Sequence, residues 1–133
     1  MQLKPPSKVI IKSTENKGWG CFASDKILVG EIIEECHLVS LPIKPDEPSG
    51  LLIDYRFNWP KSAPKWVEQV IPLGFGCIYN HSDNNNAIWK DHPVYHKVFQ
   101  FVAIREIEPG EEICTYYGSS VYWQDGRNHT NVV

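Results

Sequence analysis

The chain has 133 residues, a formal net charge of −3, and 42% hydrophobic against 22% charged residues, the balance of an ordinary globular protein. That length suits one domain with its own core, and no apolar run approaches the roughly 20 residues needed to cross a bilayer. Lys and Arg are scattered and outnumbered by Asp and Glu, which argues against a surface that tracks nucleic-acid phosphates.

The first residues, Met1-Gln2-Leu3-Lys4-Pro5-Pro6, offer neither an apolar segment nor a small-residue cleavage site, so they do not read as a secretory signal and an intracellular protein is expected. Cys21, Cys36, Cys77 and Cys114 are far apart, without a C-x-x-C pair, and each lies in or beside an apolar stretch. Reduced, buried thiols are the expectation.

In chain order, Val9-Ile10-Ile11, Gly20-Cys21-Phe22-Ala23, Glu31-Ile32-Ile33-Glu34 and His37-Leu38-Val39 are short β-branched or aromatic runs bounded by turn residues, and they predict strands. Ile27-Leu28-Val29-Gly30-Glu31-Ile32-Ile33 resembles Ile107-Glu108-Pro109-Gly110-Glu111-Glu112-Ile113. In both, a glycine three residues after an isoleucine supplies a positive-φ position before an extended run, so the two turns are expected to play the same structural part.

Residues 42–72 change texture. Prolines at 42, 45, 48, 60, 64 and 72 would interrupt a ladder and mark an irregular insert, within which Ser62 is placed to cap a short helix carrying Trp66, Val67, Val70 and Ile71. Strands are predicted again over 87–90 and 98–103, and the last turn leads to Thr115-Tyr116-Tyr117-Gly118. The acidic pairs Glu34-Glu35, Asp46-Glu47 and Glu111-Glu112 read as solvated strand faces and turns, or as a surface for a basic peptide.

Several features are ambiguous one by one. Lys17-Gly18-Trp19-Gly20 is a plain β-turn or a backbone cradle for a small molecule, since glycines let a ligand approach the main chain. Asn80-His81-Ser82, closing the apolar run that begins at Leu73-Gly74-Phe75-Gly76, is a side-chain-capped turn or a polar binding element. Cys77, His81, His92 and His96 have a zinc-like spacing, but Pro93 and the β-rich run after it do not suit two ligands on one helix face, and no metal is expected. A Cys-His hydrolase lacks a thiol in an activating setting.

Taken together and in order, "KGWGCFA", "YNHSDNNNA" and "FVAIREIEPGEEICTYYG" resemble the SET-domain protein lysine methyltransferases, whose pattern is K-G-x-G-x-F/V-A, N-H-S-x-x-x-N-A and G-E-E-I/L-x-x-x-Y-G. "EEC", "LGFGCIYNHS" and the pair Tyr122-Trp123 look most like the compact stand-alone viral members that methylate a histone tail. The resemblance implies a mainly β, α+β fold of several small twisted sheets with a C-terminal pseudoknot and a short helical insert. One SET domain would fill residues 1–133, with a core over 7–120, a variable insert over 42–72 and a C-terminal flank over 119–133.

The resemblance also implies S-adenosylmethionine as cofactor and a protein substrate with a target lysine, a histone tail in particular, with the nucleus or chromatin as the place of work. Direct nucleic-acid binding is not implied, and a homodimer is suggested only by the viral likeness. Gly18, Trp19 and Gly20 would cradle the cofactor, with Lys17 facing its carboxylate. Asn80 and His81 would bind it through the knot, and Tyr117 would be the catalytic-centre tyrosine. Tyr55 and Tyr116 would line the lysine channel, and Trp123 would cover the adenine or the channel. Asn84-Asn85-Asn86 replaces the usual D-P-N, no cysteine-rich zinc module follows, and Thr115 stands where an aromatic is common, which leaves the number of methyls transferred open. A non-catalytic SET-fold module that grips a basic peptide or partner protein is the competing reading.

Overall fold

The structure, a computed structural model, describes residues 2–41, 57–61 and 68–116. Its strands are β1 (Val9–Ser13), β2 (Trp19–Ala23), β3 (Ile32–Ser40), β4 (Phe57–Trp59), β5 (Glu68–Pro72), β6 (Asn80–His81), β7 (Ala87–Asp91), β8 (Val98–Ala103) and β9 (Cys114–Thr115). They form an antiparallel β1-β2 pair, a five-stranded sheet ordered β4-β5-β3-β8-β7, and a parallel β6-β9 pair. There is no α-helix among the described residues.

The long strand β3 is shared. Its first part pairs antiparallel with β8, from Ile32↔Val102 to His37↔Val98, and its end pairs with β5, from Leu38↔Pro72 to Ser40↔Val70. The outermost strands then meet: Phe57 of β4 lies edge-on to Trp89 of β7 at 4.9 Å, and the Lys61 amide donates to Asp91 Oδ1 at 2.9 Å. Twist accumulated over five strands brings the two ends of the sheet together around Phe57, Trp89 and Phe99.

Alternation along β3 sends Glu34, Cys36 and Leu38 inward, and a bulge between Ile32 and Glu34 brings Ile33 inside as well. Glu34, only 1% exposed, therefore sits in the core. Its Oε1 accepts from the Tyr79 hydroxyl at 2.5 Å and its Oε2 from the Phe75 amide at 3.3 Å. Gly74 is a glycine for this carboxylate: its φ is +76°, and a Cβ there would lie 2.7 Å from Glu34 Oε2. Burial pushes the Glu34 carboxyl above its ordinary value, with hydrogen bonds from Tyr79, the Phe75 amide and Cys36 opposing, and Tyr79 is raised by burial and by the same carboxylate. Tyr79 also stacks on Phe101 at 4.7 Å. The apolar run is thus anchored one residue before Asn80.

The two glycine turns are near copies. Glu31 N–H donates to the Leu28 carbonyl and Glu111 N–H to that of Glu108, both at 3.0 Å, while the glutamate side chains accept from the Leu28 and Glu108 amides at 3.1 and 2.8 Å. Gly30 and Gly110 have φ of 83° and 89°, and Ile27 and Ile107 bridge the turns to each other. The Gly30 amide meets the Ala103 carbonyl and the Gly110 amide the Ala23 carbonyl, both at 2.8 Å. A local pseudo-twofold relation follows.

Three expectations need correction. The helix ending at Val70 and Ile71 is replaced in its second part by β5, where Val70 pairs with Phe57 on one side and Ser40 on the other; ladder partners on both edges satisfy the backbone that a helix would satisfy internally. Ser62, Trp66 and Val67 lie outside the described residues. Of the six prolines only Pro60 and Pro72 are among the described residues, and neither interrupts a ladder: Pro60 follows β4 and Pro72 ends β5, positions that need no central ladder N–H. Nor is Glu34 solvated; Asp46 and Glu47 fall outside the described residues.

Candidate functional site

Three chain segments converge at one place. The first is the turn before β2. Thr14 N–H donates to the Gly18 carbonyl at 2.6 Å, its hydroxyl donates to the same oxygen at 2.8 Å, and that hydroxyl accepts from the Lys17 amide at 2.9 Å. Gly18, at φ 72°, occupies the left-handed position this closure requires. The result lifts Trp19 outward, 62% exposed.

The second and third segments are the parallel strands β6 and β9, with Asn80 opposite Cys114 and His81 opposite Thr115. Asn86 staples them: its Oδ1 accepts from the Cys114 amide and its Nδ2 donates to the Glu112 carbonyl, both at 2.9 Å. Ser82 N–H adds a bond to the Thr115 carbonyl at 2.9 Å. These contacts bring residues distant in sequence into the close pairing expected of the knot.

Side chains then tie all three together. Asn80 Nδ2 donates to the Trp19 carbonyl at 3.0 Å and to Glu112 Oε2 at 2.8 Å. Lys17 Nζ donates to the His81 carbonyl at 3.2 Å and lies 4.0 Å from Glu112 Oε1. The His81 ring sits 5.0 Å from that of Tyr116, and its Nε2 is 2.9 Å from Asp83 Oδ1. Tyr116 remains 43% exposed. The site thus presents two exposed aromatic rings, an ammonium, and a buried amide.

Lys17, Gly18, Trp19, Gly20, Asn80, His81 and Tyr116 of the sequence prediction are therefore gathered in one region. Tyr55, Tyr117 and Trp123 lie outside the described residues. The reason for Gly20 is more specific than ligand access: a Cβ there would lie 2.6 Å from Glu112 Oε2 and 3.0 Å from both Asn80 Nδ2 and Thr14 Cγ2, so its open face is filled by the protein itself. Sequence reasoning missed Thr14 and Glu112. The first is visible only as a hydroxyl three residues before Lys17, and the second sits in an acidic pair that reads as solvated.

The cysteines are poor nucleophiles here. Burial, helped by the Glu112 charge, pushes Cys114 up to about 11, burial alone does the same for Cys77, and Cys21 and Cys36 are raised further. The residues of the zinc-like spacing have separate engagements. His92 Nε2 meets Glu35 Oε2 at 3.0 Å, His96 lies edge-on to Trp59 at 4.7 Å, and the Cys77 thiol points to the Pro72 carbonyl at 3.8 Å. No group of three or more metal-ligating side chains is gathered among the described residues.

Comparison with known proteins agrees with this geometry. The chain is similar to the histone-lysine N-methyltransferase, H3 lysine-37 specific, of Schizosaccharomyces pombe, with 29% identity over 122 residues, covering 90% of this chain and 79% of that protein. It is similar also to the crystal structure of a candidate histone methyltransferase of Plasmodium falciparum, with a TM-score of 0.68 and 32% identity, covering 90% of this chain and 97% of that one. Neither relative bears on the likeness to compact viral proteins. The family model for the SET domain matches residues 18–118, a span that runs from the glycine turn to the knot, and the chain belongs to the SET-domain family.

Proposed function

We propose that this chain is an S-adenosylmethionine-dependent protein-lysine N-methyltransferase acting on an exposed basic tail, that of a histone. Family membership and the histone-lysine N-methyltransferase name of the S. pombe relative support the reaction class, and a net charge of −3 suits a basic partner. Work on chromatin would follow from such a substrate.

The observation that carries the reading is the Asn80 amide. Nδ2 is used twice within the protein, yet Oδ1 accepts no hydrogen bond among the described residues, although Asn80 is only 2% exposed. A buried acceptor without a donor is costly, about 1–3 kcal/mol, and calls for a ligand N–H. Lys17, with His81 O as its one acceptor within hydrogen-bond distance among the described residues, has protons left for a carboxylate. Trp19, 62% exposed, offers a ring face for a flat heterocycle. An amino acid joined to a nucleoside matches this donor and acceptor set.

When bound, S-adenosylmethionine supplies an electrophilic methyl group on a positively charged sulfur. The protein's share is to bind, dehydrate and aim. A lysine with an ordinary pKa near 10.4 is neutral in only roughly one molecule in two thousand at pH 7, so a channel that disfavours the ammonium raises the reactive fraction. In this reading Tyr117 and Tyr55 wall that channel and orient the amine nitrogen with their hydroxyls, Tyr116 extends the wall, and Trp123 covers the adenine or the channel from the C-terminal side.

The test is incubation with methyl-labelled S-adenosylmethionine and a panel of histones and basic peptides, the modified residue being located by mass spectrometry. Label on a lysine is expected. Tyr117→Phe should fold and bind cofactor while turning over about 100-fold more slowly. Cofactor bound with no transfer to any protein would favour the non-catalytic module.

A further inference from the structure

Glu112 has no part in the reaction as described above, yet from its place two residues before β9 its carboxylate faces both other segments of the site. Oε2 accepts from Asn80 Nδ2 at 2.8 Å, Oε1 stands 4.0 Å from Lys17 Nζ, and Oε2 fills the space that a Cβ on Gly20 would enter. Its backbone is held too, bridged to Phe22 and fixed at its carbonyl by Asn86 Nδ2 at 2.9 Å.

What these contacts determine is which way the Asn80 amide points. Turning an amide by half a rotation exchanges its donor face for its acceptor face. Here both neighbours of Nδ2 are acceptors, the Trp19 carbonyl at 3.0 Å and the Glu112 carboxylate at 2.8 Å. The turned amide would set oxygen against oxygen at both, once against a full negative charge. Trp19 O takes one of the two Nδ2 protons and Glu112 takes the other, which leaves Oδ1 alone facing away.

We propose that Glu112 is a positioning residue of the ligand pocket: its carboxylate locks the Asn80 amide so that Oδ1 is presented to an N–H of the bound molecule. For that molecule's identity the inference rests on the S-adenosylmethionine reading; for the amide's orientation it does not. Glycine at position 20 is the space the lock needs.

Two readouts separate a lock from a merely structural carboxylate. In the free protein, the Asn80 side-chain amide, assigned in 15N spectra by its loss in Asn80→Ala, should show both protons slow to exchange with water. In Glu112→Ala at least one should exchange fast. With S-adenosylmethionine titrated by calorimetry, Glu112→Ala should weaken binding about tenfold or more in the otherwise native chain. In the Asn80→Ala background it should change binding by about twofold or less, because the group it acts through is gone. If Glu112→Ala does not fold, Glu112→Gln, which keeps the volume and loses the charge, carries the same comparison with a smaller expected effect.

Unchanged exchange at Asn80, or additive losses in the double variant, would overturn the proposal. A native protein that fails to bind S-adenosylmethionine, while the Asn80 signature still depends on Glu112, would end the cofactor reading and leave the lock standing.

Discussion

The turns at 27–31 and 107–111 share their hydrogen bonds, their positive-φ glycine and their side-chain cap, yet they deliver the chain to different tasks. After the first, Ile32 enters β3 and pairs with Val102 in the main sheet. After the second, Glu112 stands at the equivalent step, bridged to Phe22, and its side chain turns to Asn80. The backbone scaffold is the same. The residue one step beyond differs: half-buried Ile32 continues into the ladder, whereas the Glu112 carboxylate must find donors and meets Asn80.

The largest effect should come from exchanging that one residue. Glu112→Ile copies the sheet turn into the site turn and leaves a buried Asn80 donor without its partner, so S-adenosylmethionine affinity should fall by about tenfold to a hundredfold. Ile32→Glu, the reverse exchange, should lower stability and leave affinity within about twofold. Calorimetric titration and thermal melts of both variants check this; equal losses of affinity would dissolve the distinction.

A smaller effect tests the likeness instead. A Cβ added at Gly30 or at Gly110 would meet nothing within 4 Å, so only the left-handed backbone opposes alanine. Each substitution should cost about 1–2 kcal/mol, nearly the same at both positions, in urea unfolding. Clearly unequal costs would mean that the two turns bear different strain.

The smallest effect is in acid, where the first turn and the core it feeds should respond in opposite senses. The Leu28 amide, with Lys8 beside it, holds the Glu31 carboxyl below its ordinary value of 4.5, so Glu31 stabilises the fold above about that pH and loses its contribution as the pH falls further. Glu34 is raised by burial; its proton stabilises the fold fully below about 4.5, and that stabilisation is lost as the pH rises through the raised value. Relative to Glu34→Gln, the native chain should gain stability on going from about pH 7 to 4.5. Relative to Glu31→Gln, it should lose stability only below about 4.5. Urea unfolding at three pH values reads both.

Much of this was legible from local pattern. β-branched runs located β1, β2, β3, β7 and β8, and the repeated Ile-x-x-Gly-Glu wording announced two equivalent turns whose shared hydrogen bonds the structure bears out. Motif order likewise brought Lys17, Trp19, Asn80 and His81 into one site. What stayed hidden depends on distant partners. Val70 and Ile71 suit a helix face as well as a strand, and only Ser40 and Phe57 on either side make β5 a strand. Glu34 reads as a surface charge until Tyr79, 45 residues away, donates to it. Glu112 reads the same way until Asn80, 32 residues away, faces it.

The central claim is that three separated segments form one cofactor pocket, and chemical-shift mapping of the native chain during S-adenosylmethionine titration tests it most directly. Saturable shifts are expected at the Trp19 indole, the Asn80 side-chain amide and the Tyr116 backbone amide together, with the signals of Leu28 and Val29 in the sheet turn unmoved. Saturable shifts elsewhere that leave Trp19, Asn80 and Tyr116 still, or no shifts at all, would contradict it.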